Sequence, residues 1–137
     1  MSLEMLKSVV TSVVLALALV QALWMAQVRG YVRLLPFAKR RLRQWHRWGG
    51  IAVLVLTLTV AVVCVFGIGG RYVYYSPRAL AHAVMGALAI LVLLLKVAIA
   101  NRFRRYVRFT LALGAAAGLL ILGIFVTSAL WYFGQVA

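Results

Sequence analysis

Acidic residues are almost absent from this sequence. Its 137 residues include one carboxylate side chain, Glu4, against fifteen lysines and arginines. Two-carboxylate hydrolysis, an acidic proton relay and an oxygen-ligand cation site all need more carboxylates than this. A small multidrug antiporter likewise needs an acid within the membrane. The scarcity of acids therefore argues against all four of these functions.

Cysteine and charged residues are also scarce. The single cysteine, Cys64, excludes a disulfide within the chain, and we interpret it as a small buried apolar residue. Charged residues make up 12% of the chain and hydrophobic residues 66%. Soluble domains average about a quarter charged residues. The composition therefore indicates an integral membrane protein.

Four continuous apolar runs are each long enough to cross a bilayer as a helix, which takes about 20 residues. They cover residues 9–28, 48–68, 79–100 and 107–133. None shows the alternation of transmembrane β-strands, and only helices and closed barrels satisfy the backbone in lipid. The predicted fold is an all-α, up-down four-helix transmembrane bundle that forms one domain over residues 1–137.

The cations are distributed unevenly between the two ends of this predicted bundle. Seven lie in the connection 29–47, and five lie at the end of the third helix and in the loop that follows it. The opposite side holds three, which are Lys7, Arg71 and Arg78. The positive-inside rule places the cation-rich connections in the cytoplasm and both termini outside. We therefore expect the chain in the bacterial cytoplasmic (inner) membrane.

The basic connection includes the start of an amphipathic helix. Pro36 precedes a segment of mixed cations and apolar residues, which suits a helix start that extends the second span. We predict that its cations bind anionic lipid headgroups rather than nucleic acid. Lys96, about one turn before the end of the third helix, is also expected to reach the headgroups. The predicted lipid or partner surface includes Arg40, Arg41, Arg43, Arg104 and Arg105.

The two histidines are the candidate cofactor ligands, because a neutral imidazole is the usual axial ligand of haem iron. His82 lies near the start of the third helix. Gly86 and Ala89 share its helical face and leave space for a porphyrin or for close helix packing. His46 lies at the cytoplasmic end of the second helix. Gly49 and Gly50, three and four residues later, leave similar space for a porphyrin. A partly hydrated interfacial histidine is the alternative for His46.

The two histidines do not fit one haem in such a bundle. His82 is expected to lie level with Val63 on the second helix, seventeen residues after His46. This spacing separates the imidazoles by roughly 25 Å along the axis, whereas an axial nitrogen lies about 2 Å from the iron. A haem here needs Met25 opposite His46, Met5 opposite His82, a five-coordinate iron or a partner chain.

Several short motifs resemble those of a known protein family. They are His-Arg-Trp-Gly-Gly at 46–50, Ala-His at 81–82, Lys-Val at 96–97 and Thr-Ser-Ala-Leu-Trp-Tyr-Phe at 127–133. Over about residues 42–133 the chain resembles small bacterial four-helix membrane proteins of uncharacterised function, which are similar in plan to membrane b-type cytochromes and ferric-reductase-like cores. The resemblance implies this fold and a redox neighbourhood. It also implies a second histidine late in the second helix, where this chain has Val63.

Small residues on the fourth helix, among them Gly114 and Gly118, predict a close helix contact within the bundle or with another membrane subunit. Two functions remain open. The first is a small non-catalytic subunit, without a cofactor, that anchors or packs within a larger respiratory or photosynthetic electron-transfer complex. The alternative is a b-type cytochrome that binds haem b through His82 or His46 and transfers electrons in the membrane.

Overall fold

Helices make up the architecture of the described residues. The computed structural model describes residues 2–67 and 76–136, with Arg104 described by its backbone alone, and no strand occurs among them. The elements are α1 (Leu3–Val28), α2 (Lys39–Val62), a first π-helical turn (Val63–Gly67), α3 (Pro77–Asn101), a 3₁₀ turn (Arg104–Phe109), α4 (Thr110–Phe125), a second π-helical turn (Val126–Leu130) and α5 (Trp131–Val136). Within the described ranges, four helical stretches are long and apolar enough to cross a membrane, which confirms the predicted fold class.

The predicted turn between the second and third spans lies mostly outside the described residues. This applies to residues 68–75, including Arg71 and the tyrosines at 72, 74 and 75. On the far side of this gap, Ser76 caps α3: its Oγ accepts a hydrogen bond from the N–H of Ala79 at 3.4 Å, and Pro77 occupies the first turn. Capping therefore sets the start of the helix that holds His82.

The four long helices form an up-down bundle in which each packs against two neighbours. α1 packs against α2 and α4, and α3 packs closely on α4 and less extensively on α2. The central core takes at least one apolar side chain from each helix, namely Val14, Val53, Leu93, Ala117 and Ile121. We call the end that holds Ser2 and Gly67 the termini end, and the end that holds the connection 29–38 the basic end.

At the basic end, α1 ends at Val28, and a glycine two residues later turns the chain. Gly30 has a φ of +86°, a left-handed conformation that glycine adopts without steric cost. Its N–H donates to the carbonyl of Gln27, and the N–H of Tyr31 donates to the carbonyl of Ala26, both at 3.0 Å. This is a Schellman motif, which satisfies carbonyls that the helix end leaves unpaired. The chain therefore turns sharply into the connection.

α2 begins at Lys39, well before the apolar run, and lies on α1 from its first turns. Leu42 is fully buried, and the Trp45 ring lies 5.6 Å from that of Trp24 and 5.1 Å from that of Phe37, centroid to centroid. The three arginines of this segment, Arg40, Arg41 and Arg43, are exposed. Apolar contacts thus hold the segment while its cations face outward.

Candidate cofactor cavity

A cavity of about 790 Å³ lies inside the termini end of the bundle, and all four long helices contribute to its wall. Sites for cofactor-sized ligands typically measure about 300–1,000 Å³. Most of the wall is apolar. The polar side chains that line it are Glu4, Lys7, Thr11, Thr57, Cys64, Arg78, His82, Thr127 and Ser128. The cavity therefore suits a large, mostly apolar molecule that carries a few polar groups.

His82 lines the cavity, and its hydrogen-bond partner favours one tautomer of the imidazole. Its Nδ1 lies 3.3 Å from the Oγ1 of Thr127. The hydroxyl hydrogen of Thr127 is directed to the carbonyl of Gly123 at 2.8 Å, so this oxygen acts as the acceptor and the Nδ1–H as the donor. The lone pair of the imidazole is then on Nε2. Histidines that bind metals usually have this arrangement, with the other ring N–H held by a fixed acceptor.

Two cations give the cavity wall a positive charge. The Nη1 of Arg78 donates to the carbonyl of Thr127 at 2.7 Å, and its guanidinium carbon lies 3.7 Å from the centroid of the Trp131 ring. Stacking on tryptophan and a hydrogen bond together hold the guanidinium in place. Lys7 contributes the second cation from α1, and Glu4 is the one acid in the sequence. The wall therefore favours anionic groups on a ligand.

Both π-helical turns border the cavity. The first contributes Cys64, and the second contributes Thr127 and Ser128. Ser128 is 4% exposed, and its Oγ has no hydrogen-bond partner among the described residues. Because buried hydroxyls are normally hydrogen-bonded, this atom is available to a ligand in the cavity. π-Helical turns are themselves frequent at functional sites.

Comparison with known proteins identifies a family. A family model described as "Family of unknown function (DUF6529)" matches residues 1–137. The chain belongs to DUF6529. No curated protein and no solved structure matches it. The DUF6529 match agrees with the resemblance to a family of uncharacterised function, and it adds no link to b-type cytochromes.

In this DUF6529 chain the two candidate histidines lie in different places. His82 lines the cavity together with Gly86, as the spacing of four residues led us to expect, whereas Ala89 is fully buried in helix packing. His46 lies near the basic end of α2 and is not part of the cavity wall. The structure thus separates the histidines, and their roles as haem ligands stay predictions.

The cavity wall includes Cys64, which follows Val63 in the first π-helical turn. Met5, the predicted partner of His82, is 42% exposed and does not line the cavity. Arg78, predicted only as a cation of the outer side, lies one helical turn before His82 on the same face. That spacing of four residues is the signal that places both side chains at one site.

The small residues of α4 do not form one outward surface in the DUF6529 fold. A Cβ on Gly114 would lie 3.3 Å from the Nζ of Lys96, within the bundle, whereas Gly118 faces open space. In the second basic loop, Arg105 is exposed and lies 4.9 Å from the ring of Tyr106, and Arg104 opens the 3₁₀ turn. The lipid and partner roles of these residues stay predictions.

Proposed function

We propose that this protein is a small membrane b-type cytochrome that holds one haem in the cavity, with His82 as an axial ligand. The observation that carries this proposal is the hydrogen bond between His82 and Thr127, because it leaves Nε2 as the metal-binding nitrogen. The cavity's volume and apolar wall also suit a porphyrin. When bound, haem b supplies a one-electron couple for electron transfer within the membrane.

The chain's own residues have distinct roles in this proposal. Thr127 orients the imidazole. Arg78 and Lys7 would pair with the two haem carboxylates, and their positive charges would offset the two negative charges of the haem. The apolar wall excludes water, which favours burial of the porphyrin. Among the described residues that line the cavity His82 is the one histidine, and Cys64 of the first π-helical turn lies in the same wall.

An absorption spectrum of the full chain, purified in mild detergent, tests the proposal. We expect a Soret band that shifts on dithionite reduction and about one haem per chain. His82→Ala should lose the haem, whereas the matched variant His46→Ala should retain it, because His46 lies away from the cavity. Thr127→Val should keep the haem with altered spectra, because the imidazole loses its orienting partner.

Two results contradict the cytochrome proposal. One is a flat spectrum from folded protein purified after haem supplementation. The other is a wild-type spectrum and haem content in His82→Ala. The first result would exclude haem as the ligand, and the second would exclude His82 as the residue that holds it.

A non-catalytic subunit of a larger electron-transfer complex is the second candidate, and the open face of α4 favours it. Gly118 has no neighbour within 4 Å of its missing Cβ, and the adjacent Leu119 is 70% exposed. Another transmembrane helix can approach closely at such a glycine. If this function is right, a defined membrane complex co-purifies with the wild type and dissociates in Gly118→Leu. Recovery of the wild type without partners argues against it.

Location in the bacterial inner membrane with both termini outside belongs to the same proposal. The distribution of cations supports it. Twelve cations lie in or beside the two basic connections, and three lie on the other side of the bundle. The exposed arginines of α2 would then bind anionic headgroups on the cytoplasmic leaflet.

A further inference from the structure

A second polar site lies toward the basic end of the bundle, away from the cavity. We define the Gln21 cluster as Gln21 of α1, His46 and Gly49 of α2, Lys96 of α3 and Gly114 of α4. The Gln21 amide packs directly on Gly49, and His46 lies three residues before Gly49, about one helical turn away on α2. All four long helices therefore contribute to the cluster.

The polar atoms of the Gln21 cluster lack partners within the described part of the chain. Gln21 is 7% exposed, yet both its Nε2 and its Oε1 have no hydrogen bond, and the same is true of the buried Nδ1 of His46. Buried amides and imidazoles are normally satisfied. The cluster therefore has a free amide donor in Gln21 Nε2, and an imidazole nitrogen that donates when it carries the proton.

A cation completes the cluster. The Nζ of Lys96 lies 3.3 Å from the position of a Cβ on Gly114, near the basic ends of α3 and α4, the same end of the bundle as Gln21 and His46. The one acid in the sequence, Glu4, lines the cavity in the other half of the bundle. Cations within a membrane are normally paired, and here the chain offers no anion to pair with Lys96.

We propose that the Gln21 cluster binds an oxyanion, either the phosphate of an anionic lipid headgroup or free phosphate. Lys96 supplies the charge, and the Gln21 amide and the His46 imidazole supply hydrogen-bond donors. Gly50 follows His46 by one helical turn, and no described atom lies within 4 Å of its missing Cβ, so this face has room beside the imidazole. Basic pockets between transmembrane helices bind anionic headgroups in this way.

Thermal unfolding of the delipidated full chain in detergent tests the proposal. Phosphatidylglycerol should raise the unfolding midpoint of the wild type more than phosphatidylcholine does, because binding to the folded state stabilises it. Lys96→Met should weaken the apparent affinity for phosphatidylglycerol by about tenfold or more, as expected for loss of a paired charge. Lys39→Met removes an exposed lysine of the basic segment and should weaken this affinity by a smaller factor than Lys96→Met does, because an exposed charge contributes less than a buried one.

Inorganic phosphate distinguishes the two sources of the oxyanion. Stabilisation of the wild type, but not of Lys96→Met, by phosphate indicates a site for the free ion, and a response to phosphatidylglycerol alone indicates a headgroup site. Gln21→Leu is the second variant and should weaken binding without loss of the fold. Equal responses to phosphatidylglycerol and phosphatidylcholine, or unchanged binding in Lys96→Met, overturn the proposal. The test is independent of haem, whose proposed ligand lies in the other half of the bundle.

Discussion

At the scale of single residues, two adjacent glycines of α2 have different surroundings. Gly49 lies directly beneath the Gln21 amide, whereas no described atom lies within 4 Å of the missing Cβ of Gly50. Both are helical, so an alanine gains the same helix propensity at either position. The difference between the two substitutions therefore reports the packing of Gln21 alone.

We predict that Gly49→Ala unfolds at a lower temperature than Gly50→Ala. The added methyl group at Gly49 displaces the Gln21 amide, and because this is the end of a flexible side chain we expect a loss at the lower end of the overpacking range, about 1 kcal/mol. Gly50→Ala should match or exceed the wild type in stability, because it adds helix propensity and meets no neighbour. Unfolding midpoints of the three proteins in one detergent provide the measurement. Equal midpoints for the two variants contradict the packing of Gln21 on Gly49.

At the scale of elements, one side chain of α1 holds the connection to α2. The Nε2 of Gln27 donates to the carbonyl of Leu35 at 2.6 Å, and its Oε1 accepts from the N–H groups of Leu34 and Leu35 at 3.3 and 2.9 Å. Gln27 is 9% exposed. One side-chain amide thus supplies the hydrogen-bond partners that the irregular connection lacks. It thereby holds the chain that leads into α2 and its basic segment.

Gln27→Leu should destabilise the hairpin of α1 and α2. The substitution leaves three backbone groups of the connection unpaired, at a cost of about 1–3 kcal/mol for each group that stays buried. Gln44→Leu is the matched control, since Gln44 is exposed on α2. Limited proteolysis should cut the connection faster in Gln27→Leu than in the wild type or the control. Identical cleavage rates in the three proteins would show that Gln27 does not stabilise the connection.

At the scale of the whole molecule, polar groups occupy both halves of the bundle and an apolar layer lies between them. The layer consists of the core residues Val14, Val53, Leu93, Ala117 and Ile121, of which Val14 and Ile121 also form part of the cavity wall. The cavity with His82 lies on the termini side, and the Gln21 cluster lies toward the basic end. Because the core separates the two sites, their ligands can be tested independently.

The orientation of the bundle gives a prediction at the same scale. In a Cys64→Ser background, Gln135→Cys should react with a membrane-impermeant thiol reagent on spheroplasts, whereas Arg41→Cys should react only after permeabilisation. Positive-inside bias places residue 41 in the cytoplasm, and both positions are exposed in the structure. Labelling of both cysteines after permeabilisation is the control. The reverse pattern would show that the termini are cytoplasmic.

The sequence alone determined the class of the protein, because segments that cross a bilayer must be long and mostly apolar. Long apolar runs must be helices in a bilayer, and the cations between them indicate an orientation without any knowledge of packing. The spacing of His82 and Gly86 also predicted correctly that they share a face. These features depend on hydropathy and on local helical geometry, both of which can be read along the chain.

The tertiary structure decided which residues meet across helices. His82 lies 3.3 Å from Thr127, 45 residues later, and Lys96 reaches Gly114 on the next helix. Each residue turns a helix by about 100°, so such contacts depend on how each helix is rotated about its axis. In a membrane bundle the face toward lipid and the face toward the core are both apolar, so hydropathy does not report that rotation. Helix packing alone therefore places the imidazole, the hydroxyl and the cations at their sites.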